Sequence, residues 1–449
     1  MKIKLFLLGL ILMFGCSKTS EEPRFTVDPV GPPIYVAPSY TISNFSVAGF
    51  TIPNIINSQI QTGVNGAISG TIVYTKENVL HMVIPATLFF NYPLIPAIHL
   101  VKNGGVWQYE NSYSDGAMGA GRNYECIDSL YQTWVYSDHG LELSSGTWPN
   151  GHLILMKNNG GTLSFSNIST VRSFYHSVST GDLNNDGLKD IVGLHMGTKG
   201  NWYDNLHTFL QNVDGSFSEH RNILMSNVGG RGAGAVLIKN LFGDARPEVI
   251  RADYGFNATY SKPSDRYSFM IYAYNTSTQK YELSKDPGPM GVFSNNDRGA
   301  TSIKAADFNK DGFLDLAVAT EGNNFNGIEI WMNDGVGNFT PSNQKLEYSF
   351  DQLQFREFEV FDYNNDGYPD IFLNPWAGRG FKASNQVYMD NLLWKNVGGT
   401  FSTSSKGIIV TGIHPTFMKV FYINNKITYF GIQGNSDGSI GINEIVPNY

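Results

Sequence analysis

Cysteine is nearly absent: Cys16 and Cys126 are the only two in 449 residues, which rules out a disulfide scaffold and leaves stability to core, strand ladders and bound ions. Charge is also sparse. Lys and Arg together number 31 against 39 Asp and Glu, a formal net charge of −8, and no basic patch stands out, which argues against a nucleic-acid partner. No sustained 3.6-residue apolar pattern runs through the chain, so an all-helical architecture is excluded. The apolar run from Leu5 to Phe14 is too short to cross a bilayer.

What the chain has instead is glycine and aromatic residues, with 48 Gly, 29 Phe and 24 Tyr. These suit tight turns and pleated, half-buried surfaces, and short alternating runs punctuated by Asn-Gly and Asp-Gly recur throughout, so the expected class is all-β. Three segments, 181–192, 306–317 and 361–372, align without gaps on the pattern Asp-x-Asn-x-Asp-Gly-x-x-Asp followed by apolar residues. A fourth, 239–250, keeps the frame but loses most of the acids. Downstream of the loops come strand, Gly turn and strand, at 206–217, 328–339 and 392–401, and similar endings at 99–107 and 153–163 imply two further units upstream. Residues 416–430 supply a last unit. Units ending near 113, 167, 220, 285, 345, 403 and 446 give seven, and closed radial repetition is the way such four-stranded sheets bury both faces.

The loops and hairpins together resemble FG-GAP or VCBS-type repeats, found in integrin α-subunit propellers and many bacterial surface proteins. The resemblance covers roughly residues 118–410 and implies a β-propeller of four-stranded blades, with calcium loops between the first and second strands of a blade. Hard oxygen ligands at alternate positions around a glycine-permitted bend suit Ca²⁺. The expected ligands are Asp182, Asn184, Asp186 and Asp190 with the Leu188 carbonyl; Asp307, Asn309, Asp311 and Asp315 with that of Phe313; and Asp362, Asn364, Asp366 and Asp370 with that of Tyr368. Three ions are expected. An EF-hand is excluded because Gly193, Val318 and Leu373 stand where a bidentate acid is needed. The bland alternative is an Asx-rich turn. In the fourth unit Asn240, Phe242, Asp244, Ala245 and Glu248 keep too few ligands, and no metal is expected there.

The first 15 residues, two lysines ahead of an apolar run, read as a secretory signal, and Gly15-Cys16 resembles a bacterial lipobox with Cys16 as the acylated residue; ordinary secretion is the alternative. In the lipoproteins this resembles, Ser17 after that cysteine fits outer-membrane sorting, so the expected location is the outer membrane or cell surface, with the lipid as the only membrane contact. Residues 16–60, rich in proline at 29, 32, 33 and 38, read as a tether, and 61–449 as the propeller. Cys126 then has no partner and reads as a buried strand residue.

Connections between second and third strands should emerge on the face opposite the calcium loops. They carry Trp148, Trp202, Tyr203, Tyr260 and Trp376, flat surfaces on which sugar rings stack, or alternatively plugs between blades. Arg122, Arg231 and Arg298, with Arg172 and Arg356, precede the innermost strands; they can ring the channel mouth for an acidic saccharide or pair between blades. The function expected is cell-surface binding or adhesion, with a glycan as ligand. A protein-docking subunit of an outer-membrane complex is a second reading. A polysaccharide lyase or hydrolase is a third, with Asp138, His139, His195, Asp253 and Glu321 as its candidate acids and bases; the absence of a nucleophile motif weighs against it.

Overall fold

A computed structural model describes residues 39–47, 70–85, 95–118, 121–129, 131–140, 151–196, 205–220, 233–253, 269–285, 300–321, 326–347, 354–376, 386–388, 393–402, 409–411, 418–434 and 440–448. Its strands form seven antiparallel four-stranded sheets arranged as the blades of a ring. Blade one comprises Ile72–Lys76, Val79–Ile84, Ile95–Asn103 and Val106–Met118; blade two comprises Gly121–Asp128, Thr133–Asp138, Leu153–Asn159 and Thr162–Asn167. Phe174–Gly181, Asp190–Met196, Asn205–Gln211 and Phe217–Glu219 make blade three, and Ala233–Lys239, Glu248–Asp253, Phe269–Asn275 and Lys280–Lys285 make blade four. Blade five is Ala300–Ala306, Asp315–Glu321, Asn326–Asn333 and Phe339–Glu347; blade six is Gln354–Phe361, Asp370–Trp376, Leu393–Val397 and Thr400–Ser402. Blade seven takes three strands from the end of the chain, Met418–Ile423, Lys426–Gly434 and Ile440–Asn448, and its fourth from the beginning, Ser39–Ser46.

The second strands read as nearly unbroken apolar runs because neighbouring blades cover both their faces. Ile191, Val192 and Leu194, Leu316 to Ala319, and Ile371 to Leu373 are all buried. Outer strands alternate instead: in Thr162–Asn167 only Leu163 and Phe165 point inward. The core therefore lies between blades. Ile127, Val135, Leu153 and Leu155 of blade two pack with Tyr175, Val178, Ile191 and Phe209 of blade three, and the same interdigitation joins blades three and four through Leu194, Val236 and Tyr272. Inner strands approach so closely that a side chain at Gly234 would collide with the Ala300 carbonyl oxygen of the next blade.

Closure is made by strands from opposite ends of the chain. Ser39 to Ser46 pair antiparallel with Asn448 back to Gly441, so strand Ser39–Ser46 lies inside the stretch read from sequence as tether. Its modest apolar content makes it hard to distinguish from the proline-rich residues before it. Across the blade one–seven junction, Glu444 accepts from the Trp107 indole at 2.6 Å and from Lys102 Nζ at 2.7 and 2.8 Å, within an apolar cluster that includes Trp107, Phe421 and Phe430.

The seven-blade count and the four-strand unit agree with the sequence expectation, and blade ends fall within a few residues of those anticipated. Blade six adds a short ladder, Gln386–Tyr388 with Ile409–Thr411, that the repeat pattern did not suggest.

Candidate cation loops and the faces around them

Each acid-rich segment links the first strand of a blade to the second, in blades three, five and six. In all three, two side-chain oxygens converge on one backbone amide: Asp182 Oδ1 and Asn184 Oδ1 on Asp186 N at 3.0 and 3.1 Å, with the corresponding pairs on Asp311 N and Asp366 N within 3.0–3.3 Å. The other oxygen of the first acid accepts from the glycine amide, at 2.7 Å for Gly187, 2.9 Å for Gly312 and 2.8 Å for Gly367. The second acid, Asp186, Asp311 or Asp366, accepts from the residue two further on, Leu188, Phe313 or Tyr368. Backbone at positive φ, 86° at Gly187 and 62° at Asn185, turns the chain tightly enough to gather these oxygens. Sequence reasoning brought these residues together, and the fold does so.

The ninth-position acid, also an expected ligand, is tied into the blade by backbone donors. Asp190 is buried, and its two oxygens accept from Leu183 N at 2.8 Å and Gln211 N at 2.9 Å, tying the loop to the third strand. Asp315 does the same with Phe308 N and Asn333 N, and Asp370 accepts from Asn396 N. Burial pushes the carboxyls of Asp190 and Asp315 up to about 6 and that of Asp370 to about 7, against the backbone donors that favour the charged form.

The blade-four loop keeps this frame with other residues. Glu248, buried and raised by burial to about 7, accepts from Leu241 N at 2.6 Å and Phe242 N at 3.3 Å, and Asp244 accepts from Arg246 N as Asp186 does from Leu188. At the position of Asn184 stands Phe242, which packs on Gly337 of the next blade. The Arg246 guanidinium lies 3.8 Å over the Tyr274 ring and donates to the Leu183 carbonyl.

Sequence reasoning missed how the loops are stitched to one another. In each case the carbonyl of the second loop residue accepts from the following blade: Leu183 from Tyr281 Oη at 2.9 Å, Leu241 from Asn333 Nδ2 at 3.0 Å, and Phe308 from Asn396 Nδ2 at 2.8 Å. The recurring asparagine at the end of a third strand was the available signal.

The donor set fits a hard cation in kind: two carboxylates, an amide oxygen and a backbone carbonyl in one turn. Among the described residues no group of three or more His, Cys, Asp or Glu side chains is gathered as for a metal ion, so the amide and carbonyl are necessary members of any such shell.

On the opposite face, Asp138 and His139 end the second strand of blade two. Asp138 Oδ1 accepts from Gly140 N at 2.9 Å, and the His139 ring packs in the junction with Phe174 and His176, at 4.8 and 4.7 Å between centroids. His195 sits in a buried hydrogen-bonded chain, from Ser173 Oγ to His195 Nδ1 (2.7 Å), His195 Nε2 to His207 Nε2 (2.9 Å), and His207 Nδ1 to Tyr175 Oη (2.8 Å). Neither histidine presents a free edge to solvent, each being under 5 % exposed. Trp148, Trp202, Tyr203, Tyr260, Arg231 and Arg298 lie outside the described residues, as do the side chains of Trp376, Arg122, Arg356, Asp253 and Glu321. Cys16 is likewise outside them; Cys126 is a free, partly buried thiol whose pKa burial raises.

Lysines and glutamates of the inner strands, not noticed from sequence, form pairs around the bore. Lys304 Nζ lies 3.0 Å from Glu359, and Lys419 Nζ lies 3.7 Å from Glu357 and 4.2 Å from the Tyr124 ring centroid. Lys304 keeps 31 % of its side chain in contact with solvent although protein surrounds it, so the Lys304–Glu359 pair contributes modestly, whereas Lys419 is buried.

Seven four-stranded blades in a ring define a seven-bladed β-propeller. Within it, residues 307–373 match the FG-GAP-like repeat family, a span reaching from the first acid of the blade-five loop through the blade-six loop to the second strand of blade six. No curated protein matches the sequence. Among solved structures, a Trypanosoma rangeli sialidase in complex with the inhibitor DANA is similar over 92 % of this chain and 60 % of its own, at 10 % identity and a TM-score of 0.39. The chain thus spans less than two thirds of that protein's length.

Proposed function

We propose that the protein is a calcium-stabilised binding propeller of the bacterial cell surface or outer membrane, anchored through a lipid on Cys16 and recognising a glycan with the face opposite its loops. The observation that carries this reading is the threefold convergence of Asp and Asn oxygens on single amides in blades three, five and six. Calcium would be held by Asp182, Asn184 and Asp186 with the Leu188 carbonyl, and by their counterparts in the other two loops, with Asp190, Asp315 and Asp370 fixing each turn from behind. The ion supplies charge neutralisation for clustered carboxylates. Since antiparallel strands put first-to-second connections on one face and second-to-third on the other, the connections 139–152, 197–204, 254–268 and 377–392 are free to vary without disturbing the ions. They carry Trp148, Trp202, Tyr203 and Tyr260, suited to sugar rings, and Trp376 ends the strand before the last of them.

A glycan array probed with the mature protein, with and without EDTA, tests the proposal. Saccharide binding reduced by Trp202→Ala or Trp376→Ala supports it. A blank array together with capture of outer-membrane proteins would move the function to docking. The lyase or hydrolase reading has weaker support, since the hydrogen-bonded Ser173–His195–His207–Tyr175 chain is buried; polysaccharide turnover abolished by His195→Ala would establish it.

A further inference from the structure

The three loops differ in one respect that their ligand patterns hide. The fourth position is Asn185 in blade three, Lys310 in blade five and Asn365 in blade six. The Lys310 side chain does not stay with its own loop. It crosses to blade six, where Nζ donates to the Asp366 carbonyl and lies 4.2 Å from the centroid of the Tyr368 ring. It rests against Gly367 so closely that a Cβ there would collide with Lys310 Cε and Nζ. Gly187 and Gly312, the same position in the other two loops, have nothing within 4 Å of the corresponding point. An ammonium is therefore lodged against positions five to seven of the blade-six loop, the stretch that offers the Asp366 carboxylate and the Tyr368 carbonyl. Neither of the other loop glycines has such a neighbour, and the Arg246 guanidinium that touches the blade-three loop does so at the Leu183 carbonyl, outside the expected ligands.

We infer that Lys310 acts as a resident competitor cation, making the Asp362–Asp370 loop the weakest of three calcium sites. This rests on the calcium reading above and adds a ranking that the ligand pattern does not contain. A unit charge several ångströms from a divalent ion in a water-like surround repels it enough for roughly tenfold weaker binding. Because Lys310 is exposed, the penalty is screened by salt. A cell-surface protein with graded sites stays folded on its two tight ions while the third responds to the calcium level outside.

Calcium titration by calorimetry, on chelator-stripped protein, decides the matter. The wild type is expected to show two tight sites and one roughly tenfold weaker. Lys310→Asn, which installs the residue found at that position in the other two loops, brings the third site to within about threefold of the others, whereas Lys310→Arg keeps the weak class. Asp362→Asn deletes the weak class alone, and Asp182→Asn deletes a tight one; circular dichroism checks that each variant is folded. Three equivalent sites in the wild type, or a weak class untouched by Lys310→Asn, overturns the inference while leaving calcium binding in place. Absence of any calcium heat up to about 1 mM in wild type and variant alike sinks the calcium reading, and this ranking with it.

Discussion

The loops of blades three and four are the same turn made twice, once with the oxygen ligands and once without. Asp190 and Glu248 are both buried, both raised by burial, and both pin the amide of the second loop residue. Asp186 and Asp244 both accept from the residue two positions on. What differs is the filling. Where blade three gathers Asp182, Asn184 and Asp186 around a turn, blade four inserts Phe242 against a neighbouring glycine and swings Arg246 onto Tyr274. Backbone hydrogen bonds to a buried acid are thus enough to shape the turn. On the calcium reading, an ion would hold together carboxylates that otherwise repel, so metal should alter stability far more than conformation.

Chelation should produce the largest effect. With three sites each near saturation, EDTA is expected to lower the melting temperature by on the order of 10–20 °C without changing the far-ultraviolet spectrum; scanning calorimetry with calcium and with EDTA gives the shift. Loss of β-signal on chelation at room temperature would mean that the frame needs its ion.

Next in size is removal of the buried ninth-position acid. Asp190→Ala orphans the Leu183 and Gln211 amides and should cost about 2–4 kcal/mol, and Glu248→Ala about as much, by urea unfolding in EDTA. A marked inequality would separate the two frames. Added calcium should widen the gap for Asp186→Ala and leave Asp244→Ala unchanged.

Glu248 also sets a pH dependence free of metal. Its folded pKa of about 7 lies above the 4.5 of an ordinary glutamate, so from about 4.5 upward the unfolded chain has released a proton that the native state still holds. Stability therefore falls as pH rises through that window and levels off above 7, by at most ~3 kcal/mol. Glu248→Gln, which retains an acceptor but cannot ionise, should gain on the wild type from pH 5 to pH 8; parallel curves would count against it. The smallest effect expected is that of Phe242→Asn, about 1–2 kcal/mol of lost packing, and no new calcium site unless Asn240→Asp and Ala245→Gly accompany it.

The division between what could and could not be read in the sequence follows distance along the chain. Asp182 to Asp190 lie within nine residues, so the ligand pattern, the glycine bend and the apolar second strand are all local and visible together. Blade number was legible for the same reason, because most units close with their own glycine hairpin. The stitches from Asn333 to Leu241 and from Asn396 to Phe308 join residues some ninety positions apart, and nothing about an asparagine in a turn says which carbonyl it will meet. His195 looked like a rim residue because its strand ends there; only the third strand and the neighbouring Ser173 enclose it. The inner-strand lysines were overlooked in favour of arginines, since a lysine facing the bore and one facing bulk solvent look alike in one dimension.

The pairing of Ser39–Ser46 with Ile440–Asn448 fixes the order of events at birth. An early-made strand has to wait, with its hydrogen-bonding edge uncovered, until Ile440–Asn448 has been made about four hundred residues later and, on the secretion reading, has crossed the inner membrane. Until then six blades can assemble one upon the next, but the ring stays open and blade one lacks its neighbour. Deletion of residues 440–449 should therefore leave the other blades folded and that waiting edge prone to pair with another copy of itself.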